Sequence, residues 1–146
     1  MRFLPIAAIG VLALSLTGCS MVTDLLHDET ESEFADHAAL QKDWPRADSA
    51  KWVPDDATVI HVRESGDGTV AILGFTSDAD LDPERCVETD RLSAPSFTDD
   101  WAPAKVFVDR VFACGDWAVM ATDDGWYGWT PNHPDERAAS LAVSTK

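Results

Sequence analysis

The chain has 146 residues, 26 acidic against 11 basic, for a formal net charge of −15. So acidic a surface repels phosphate backbones and anionic headgroups, which argues against nucleic acid as a partner and against a domain lying flat on a bilayer. Solubility is the plain reading of that charge, and six tryptophans and six phenylalanines are enough apolar surface for one core.

Arg2 and the amino terminus open a short positive region, and Phe3 to Leu14 is almost wholly apolar. That run is short of the about 20 residues a membrane span needs, and it fits the hydrophobic region of an export signal. It closes on Leu16-Thr17-Gly18-Cys19. This ending resembles the lipobox of bacterial lipoproteins. The resemblance implies cleavage after Gly18 and a diacylglyceryl group on the sulfur of Cys19. Several acyl chains hold a protein stably, each buried methylene contributing roughly 0.8 kcal/mol. Cleavage of Met1 to Gly18 takes only Arg2 among the charged residues, so the net charge moves from −15 to −16.

Residues 19–33 read as the lipidated N-terminus and an acidic tether, polar from Ser20 to Glu33. Thr30 and Glu33 stand as a T-x-x-E capping box before a predicted helix from Phe34 to Asp43, which Pro45 ends by disfavouring helical geometry at Trp44. From Thr58 the pattern turns to short β-rich runs. Thr58–Glu64 and Thr69–Thr76 flank Ser65-Gly66-Asp67-Gly68 as a hairpin. Ser77 to Pro103 is rich in proline, serine and aspartate and reads as a long crossover, with a short strand near Cys86–Asp90. Val106–Ala113, Trp117–Asp123 and Trp126–Thr130 make a meander, with Asp124-Gly125 predicting a type I′ turn. Residues 135–146 read as a polar tail. The predicted class is α+β: one antiparallel sheet of about five or six strands, hairpin plus three-strand meander, with an N-terminal helix on one face. Residues 34–134 form the single domain.

With Cys19 lipidated, Cys86 and Cys114 remain as an even pair in an oxidising compartment, and a disulfide between them is expected. Trp52-Val53-Pro54-Asp55-Asp56-Ala57-Thr58, Cys114-Gly115-Asp116-Trp117 and Trp126-Tyr127-Gly128-Trp129-Thr130-Pro131 are together similar to small lipoproteins of actinobacteria. That loose group has no established activity, and the resemblance carries over no functional residue.

No catalytic constellation stands out. There is no G-x-S-x-G elbow, and His27, His37, His61 and His133 lack zinc-ligand spacing. Asp78, Asp80 and Asp82 alternate like the start of an EF-hand. Pro83 and Thr89 occupy the places of its sixth-position glycine and twelfth-position glutamate, so that motif is rejected. No metal and no cofactor is expected. In a strand over 126–130, Tyr127 and Trp129 share one face and Trp126 takes the other. One face must pack on the core, so a ring is expected near solvent. Tyr127 and Trp129, with Asp124 beside them, are therefore the candidate ligand-binding residues, as a stacking platform for a sugar. Cross-strand packing is the bland alternative. The sequence thus predicts a lipid-anchored protein on the extracytoplasmic face of the cell membrane. It is read as a non-enzymatic binding or interaction module, with a cell-wall glycan or an envelope protein as candidate partner. A wall-glycan hydrolase using acidic residues is the alternative.

Overall fold

The computed structural model describes residues 28–144. Cys19, the leader at 1–18 and most of the expected tether lie outside the described residues. The described chain is α+β, with one antiparallel sheet of seven strands rather than five or six, and two helices. In chain order these are β1 (Glu29–Asp36), α1 (His37–Asp43), β2 (Thr58–Ser65), β3 (Ala71–Thr76), β4 (Val87–Asp90), β5 (Arg110–Cys114), β6 (Trp117–Ala121), β7 (Gly125–Thr130) and α2 (Pro134–Ser144). Across the sheet the order is β1-β2-β3-β7-β6-β5-β4. The expected hairpin (β2–β3) and meander (β5–β6–β7) both form, and β3 joins them by pairing with β7. The short strand after Cys86 is β4, paired with β5.

Three expectations are corrected. Residues 29–33, read as tether, form the first half of β1, which pairs with β2 from Glu29↔Ser65 to Asp36↔Thr58. The helix therefore starts later, at His37, and its cap is Asp36, whose carboxylate accepts from the Ala39 N–H at 2.8 Å. At its other end Trp44 is extended before Pro45, as the proline requires. Residues 135–144, read as tail, continue Pro134 into α2, which packs against β4 and β5. The β6–β7 turn is not type I′: positive φ among the described residues is confined to Val59, Gly68 and Gly115, whereas that turn needs two left-handed central residues.

Strand alternation sends side chains to two faces, and both are covered. On the first face Ile60, Val62, Leu73, Phe75, Trp117 and Val119 pack beneath residues 37–57, which bring down Leu40, Trp44 and Trp52. On the second face Ile72, Val111, Ala118, Met120, Tyr127 and Trp129 pack beneath the crossover, which brings down Phe97, Trp101, Val106 and Val108. A strand glycine seats one tryptophan on each face. A Cβ on Gly128 would meet the Trp52 ring at 2.9 Å, and one on Gly74 would meet the Trp101 ring at 3.0 Å. Cys86 and Cys114 are bonded, tying the residue before β4 to the last residue of β5. Among the described residues no helix is long and apolar enough to cross a membrane.

Candidate binding groove

Sheet register builds the site. Glu33, His61, Gly74, Tyr127 and Met120 are directly paired in sequence across β1, β2, β3, β7 and β6. Directly opposed residues share a face, so these five form one row across the second face, with about 4.8 Å between neighbouring strands. Gly74 leaves the middle of the row without a side chain, and Trp101 of the crossover settles there. Its ring stacks on His61 at 5.3 Å between centroids and 17° between planes, and meets Tyr127 edge-on at 6.2 Å. The Trp101 indole N–H donates to Glu31 Oε1 at 3.2 Å, so β1 helps to hold it. Arg63 fixes the crossover from below. Its guanidinium donates to Glu29, to the Thr98 carbonyl at 2.9 Å and to Asp99 at 3.1 Å.

Beside this cluster lies an open groove of about 730 Å³, within the size range of small-ligand sites, roughly 300–1,000 Å³. His61, Trp101, Tyr127 and Met120 line it, with Val59, Lys105, Asp123 and Asp124 among its other lining residues. Val59 belongs to a bulge, where two residues of β2 stand between register pairs that one residue of β3 separates. Its φ is +50°, left-handed backbone that a β-branched residue adopts only under strain, and the residue is 60% exposed.

Two buried polar atoms in the row lack a hydrogen bond: His61 Nδ1 and Tyr127 Oη. His61 Nδ1 lies 3.3 Å from Glu33 Oε1, near enough for ion pairing when the ring is protonated. Tyr127 is 1% exposed, and its hydroxyl has no protein partner. Burial, followed by the negative charge of Asp99, pushes the Tyr127 phenol well above its ordinary range, so it keeps its proton. A buried hydroxyl without a partner costs about 1–3 kcal/mol.

The predicted ligand residues are partly brought together. Tyr127 and Trp129 share a face, as strand alternation requires, but both are 1% exposed. They form no platform for a sugar, and this corrects the expected site: the crossover covers the second face, which the sequence reading left open. Trp126, on the other face, is half-buried against Phe112, with its N–H donating to the Ala79 carbonyl at 3.0 Å. Asp124 is exposed and lines the groove with Tyr127, while Trp129 lies outside the lining. Asp82 is engaged within its own turn, accepting from Glu84 N–H at 2.9 Å and Arg85 Nε at 3.2 Å. Among the described residues no three His, Cys, Asp or Glu side chains gather as a metal site.

Trp129 belongs to a separate network. Its indole N–H donates to Ser93 Oγ at 2.8 Å, and Ser93 Oγ–H donates to Glu136 Oε2 at 2.7 Å. Glu136, fully buried at the start of α2, also accepts from the backbone N–H groups of Leu92, Ser93 and His133 at 2.6, 3.0 and 2.8 Å. Burial alone would raise its pKa, but these hydrogen bonds outweigh burial and hold the carboxyl below the ordinary glutamate value.

Sequence reasoning missed Val59, Gly74, Trp101, Lys105 and Met120 as groove residues. One signal was present: a lone glycine inside the apolar run Ala71-Ile72-Leu73-Gly74-Phe75 marks a close approach to the backbone. Comparison with protein-family models, with curated proteins and with solved structures finds no match for this chain.

Proposed function

We propose that this protein is exported, held at the extracytoplasmic face of the membrane by acyl chains on Cys19, and acts as a non-enzymatic binding module through the groove beside Trp101. The observation that carries the binding role is the open groove of about 730 Å³ lined by His61, Trp101, Met120 and Tyr127, a volume of ligand size. The Cys86–Cys114 disulfide supports the address, because such bonds persist in oxidising compartments. Asp123 and Asp124 are exposed, so neither is the desolvated acid that glycoside hydrolysis requires, which favours binding over hydrolysis.

Two measurements test the two halves of this reading. Cys19→Ser should move the protein from the membrane fraction to the soluble fraction, and the wild-type N-terminal peptide should carry the lipid mass. Continued membrane retention of Cys19→Ser overturns the anchor. For the groove, a set of neutral, anionic and cationic small molecules screened by NMR should shift resonances of His61, Trp101, Met120 and Tyr127 together. Shifts scattered over the surface overturn the binding module.

A further inference from the structure

We propose that the groove takes an organic cation, an ammonium group on a small apolar body, with Asp123 and Asp124 as its counter-charge. This rests on the binding-module reading above and adds the chemistry of the ligand.

Charge sets one half of that ligand. Asp123 and Asp124 sit in the turn between β6 and β7, both exposed and both in the lining. The Asp124 carboxylate accepts from the Thr122 hydroxyl at 3.4 Å, a long and weak bond. Among the described residues neither carboxylate forms an ion pair, and neither does Lys105, the lysine of the lining. Elsewhere on the sheet arginine matches the carboxylates: Arg63 holds Glu29 and Asp99, and Arg110 holds Glu88 and Asp90. The groove has no such arginine in its lining. An anion seated there would meet two carboxylates and one lysine, and the net charge of −15 draws cations toward the site and turns anions away.

The lining surface sets the other half. Val59 is held at φ +50° in the bulge of β2, and bulges re-aim side chains beside binding sites. An apolar residue 60% exposed at a groove loses contact with water when an apolar ligand covers it, which favours binding. Met120, Pro103 and Ala121 extend the apolar lining. Trp101 and Trp126 belong to it as well, each half-buried, and electron-rich indole rings attract organic cations. Unpaired carboxylates, indole rings and apolar wall in one groove suit an arylamine or alkylamine side by side with its ammonium. A bare metal ion needs several oxygen ligands gathered together, and among the described residues no such group of side chains gathers.

The test titrates the full-length chain in detergent with 2-phenylethylamine, 2-phenylethanol and 3-phenylpropionate, which share one apolar body and differ in charge, read by NMR. The amine should saturate, with shifts centred on Trp101, Trp126, Asp123 and Asp124, and should bind about tenfold more tightly than the alcohol or the acid. Replacing both Asp123→Asn and Asp124→Asn should weaken the amine about tenfold and leave the alcohol unchanged. Lys105→Ala should strengthen the amine about twofold, because it removes a like charge. All of these positions are exposed, so the variants should fold normally, and their melting curves check this independently. If the alcohol or the acid binds at the same residues as tightly as the amine, the ligand class falls while the binding module stands. If none of the series binds at about 10 mM, weaker than any specific site would need to be, the ligand class falls and the wider screen above decides the module separately. Amine binding that the Asp123→Asn and Asp124→Asn pair leaves unchanged, or that Lys105→Ala weakens, places the ammonium elsewhere and overturns the inference.

Discussion

Tyr127 and Trp129 lie two residues apart on β7, face the same way and are equally buried, yet their polar ends are in opposite conditions. The Trp129 N–H leads through Ser93 to Glu136, where a fully buried carboxylate receives four hydrogen bonds from the Leu92–Ser93 backbone, the Ser93 hydroxyl and the His133 N–H. The Tyr127 hydroxyl receives none. A chain that satisfies a buried charge so fully beyond Trp129 leaves the hydroxyl two residues away unmatched. Equal burial therefore does not mean equal satisfaction of polar atoms; the indole nitrogens of Trp52 and Trp117 in the first-face core are likewise buried without a partner.

The satisfied side should be costly to disturb. It is also the stapled side, since Cys86 and Cys114 flank the β4–β5 ladder on which α2 packs. Replacing both cysteines with serine should lower stability by about 3.5 kcal/mol in urea denaturation, given the chain entropy released by opening a loop of this length. Glu136→Ala should cost about 3 kcal/mol, because it leaves buried N–H donors without an acceptor. Glu136 also sets a pH dependence. Its folded pKa lies below the unfolded value, so its contribution is complete above the ordinary glutamate value, about 4.3, and is lost as pH falls through the lower folded value. Glu136→Gln should flatten that acid limb; an unchanged limb would assign it to other carboxylates.

The unsatisfied side should respond in the opposite direction. Tyr127→Phe is expected to raise the stability of the free protein by about 1 kcal/mol, since it removes a buried hydroxyl that no protein group meets. A fall in melting temperature would mean that the hydroxyl has a partner, and the contrast with Trp129 would go. The smallest effect is Val59→Gly, which relieves left-handed strain at φ +50° and should gain about 0.5 kcal/mol after the extra flexibility of glycine in the unfolded chain is deducted.

How much of this was legible depends on where the stabilising energy comes from. β2, β3, β5, β6 and β7 were readable because their apolar residues alternate or run together between glycine-bearing turns. β1 was not: Phe34 is the one large apolar residue in Glu29–Asp36, and the strand is held instead by its ladder with β2 and by Arg63 on Glu29. Its acidic residues imitate a helix start, and the true cap, Asp36, stood three residues beyond the expected capping box. α2 was lost for a related reason. Small alanines look like a tail, although Pro134 followed by Asp135 and Glu136 is a helix-start signal in its own right. Of the site, Tyr127 and Asp124 are legible, but the cover over Tyr127 is not, because nothing local says that residues 91–109 fold back over the sheet. His61 takes its place in the groove only through its row with Gly74 and Tyr127, which strand register alone creates.

That register also gives the molecule a direction. The strand ends at Glu29, Ser65, Ala71 and Thr130 gather on one side, and Thr58, Thr76, Gly125 and Ala121 on the other, near Asp123 and Asp124. The chain enters β1 at Glu29, so Asp123 and Asp124 lie a strand's length, about 25 Å, from that entry. The groove's Asp123 and Asp124 end thus stands at the far side of the sheet from the point where the chain enters it, clear of whatever precedes β1.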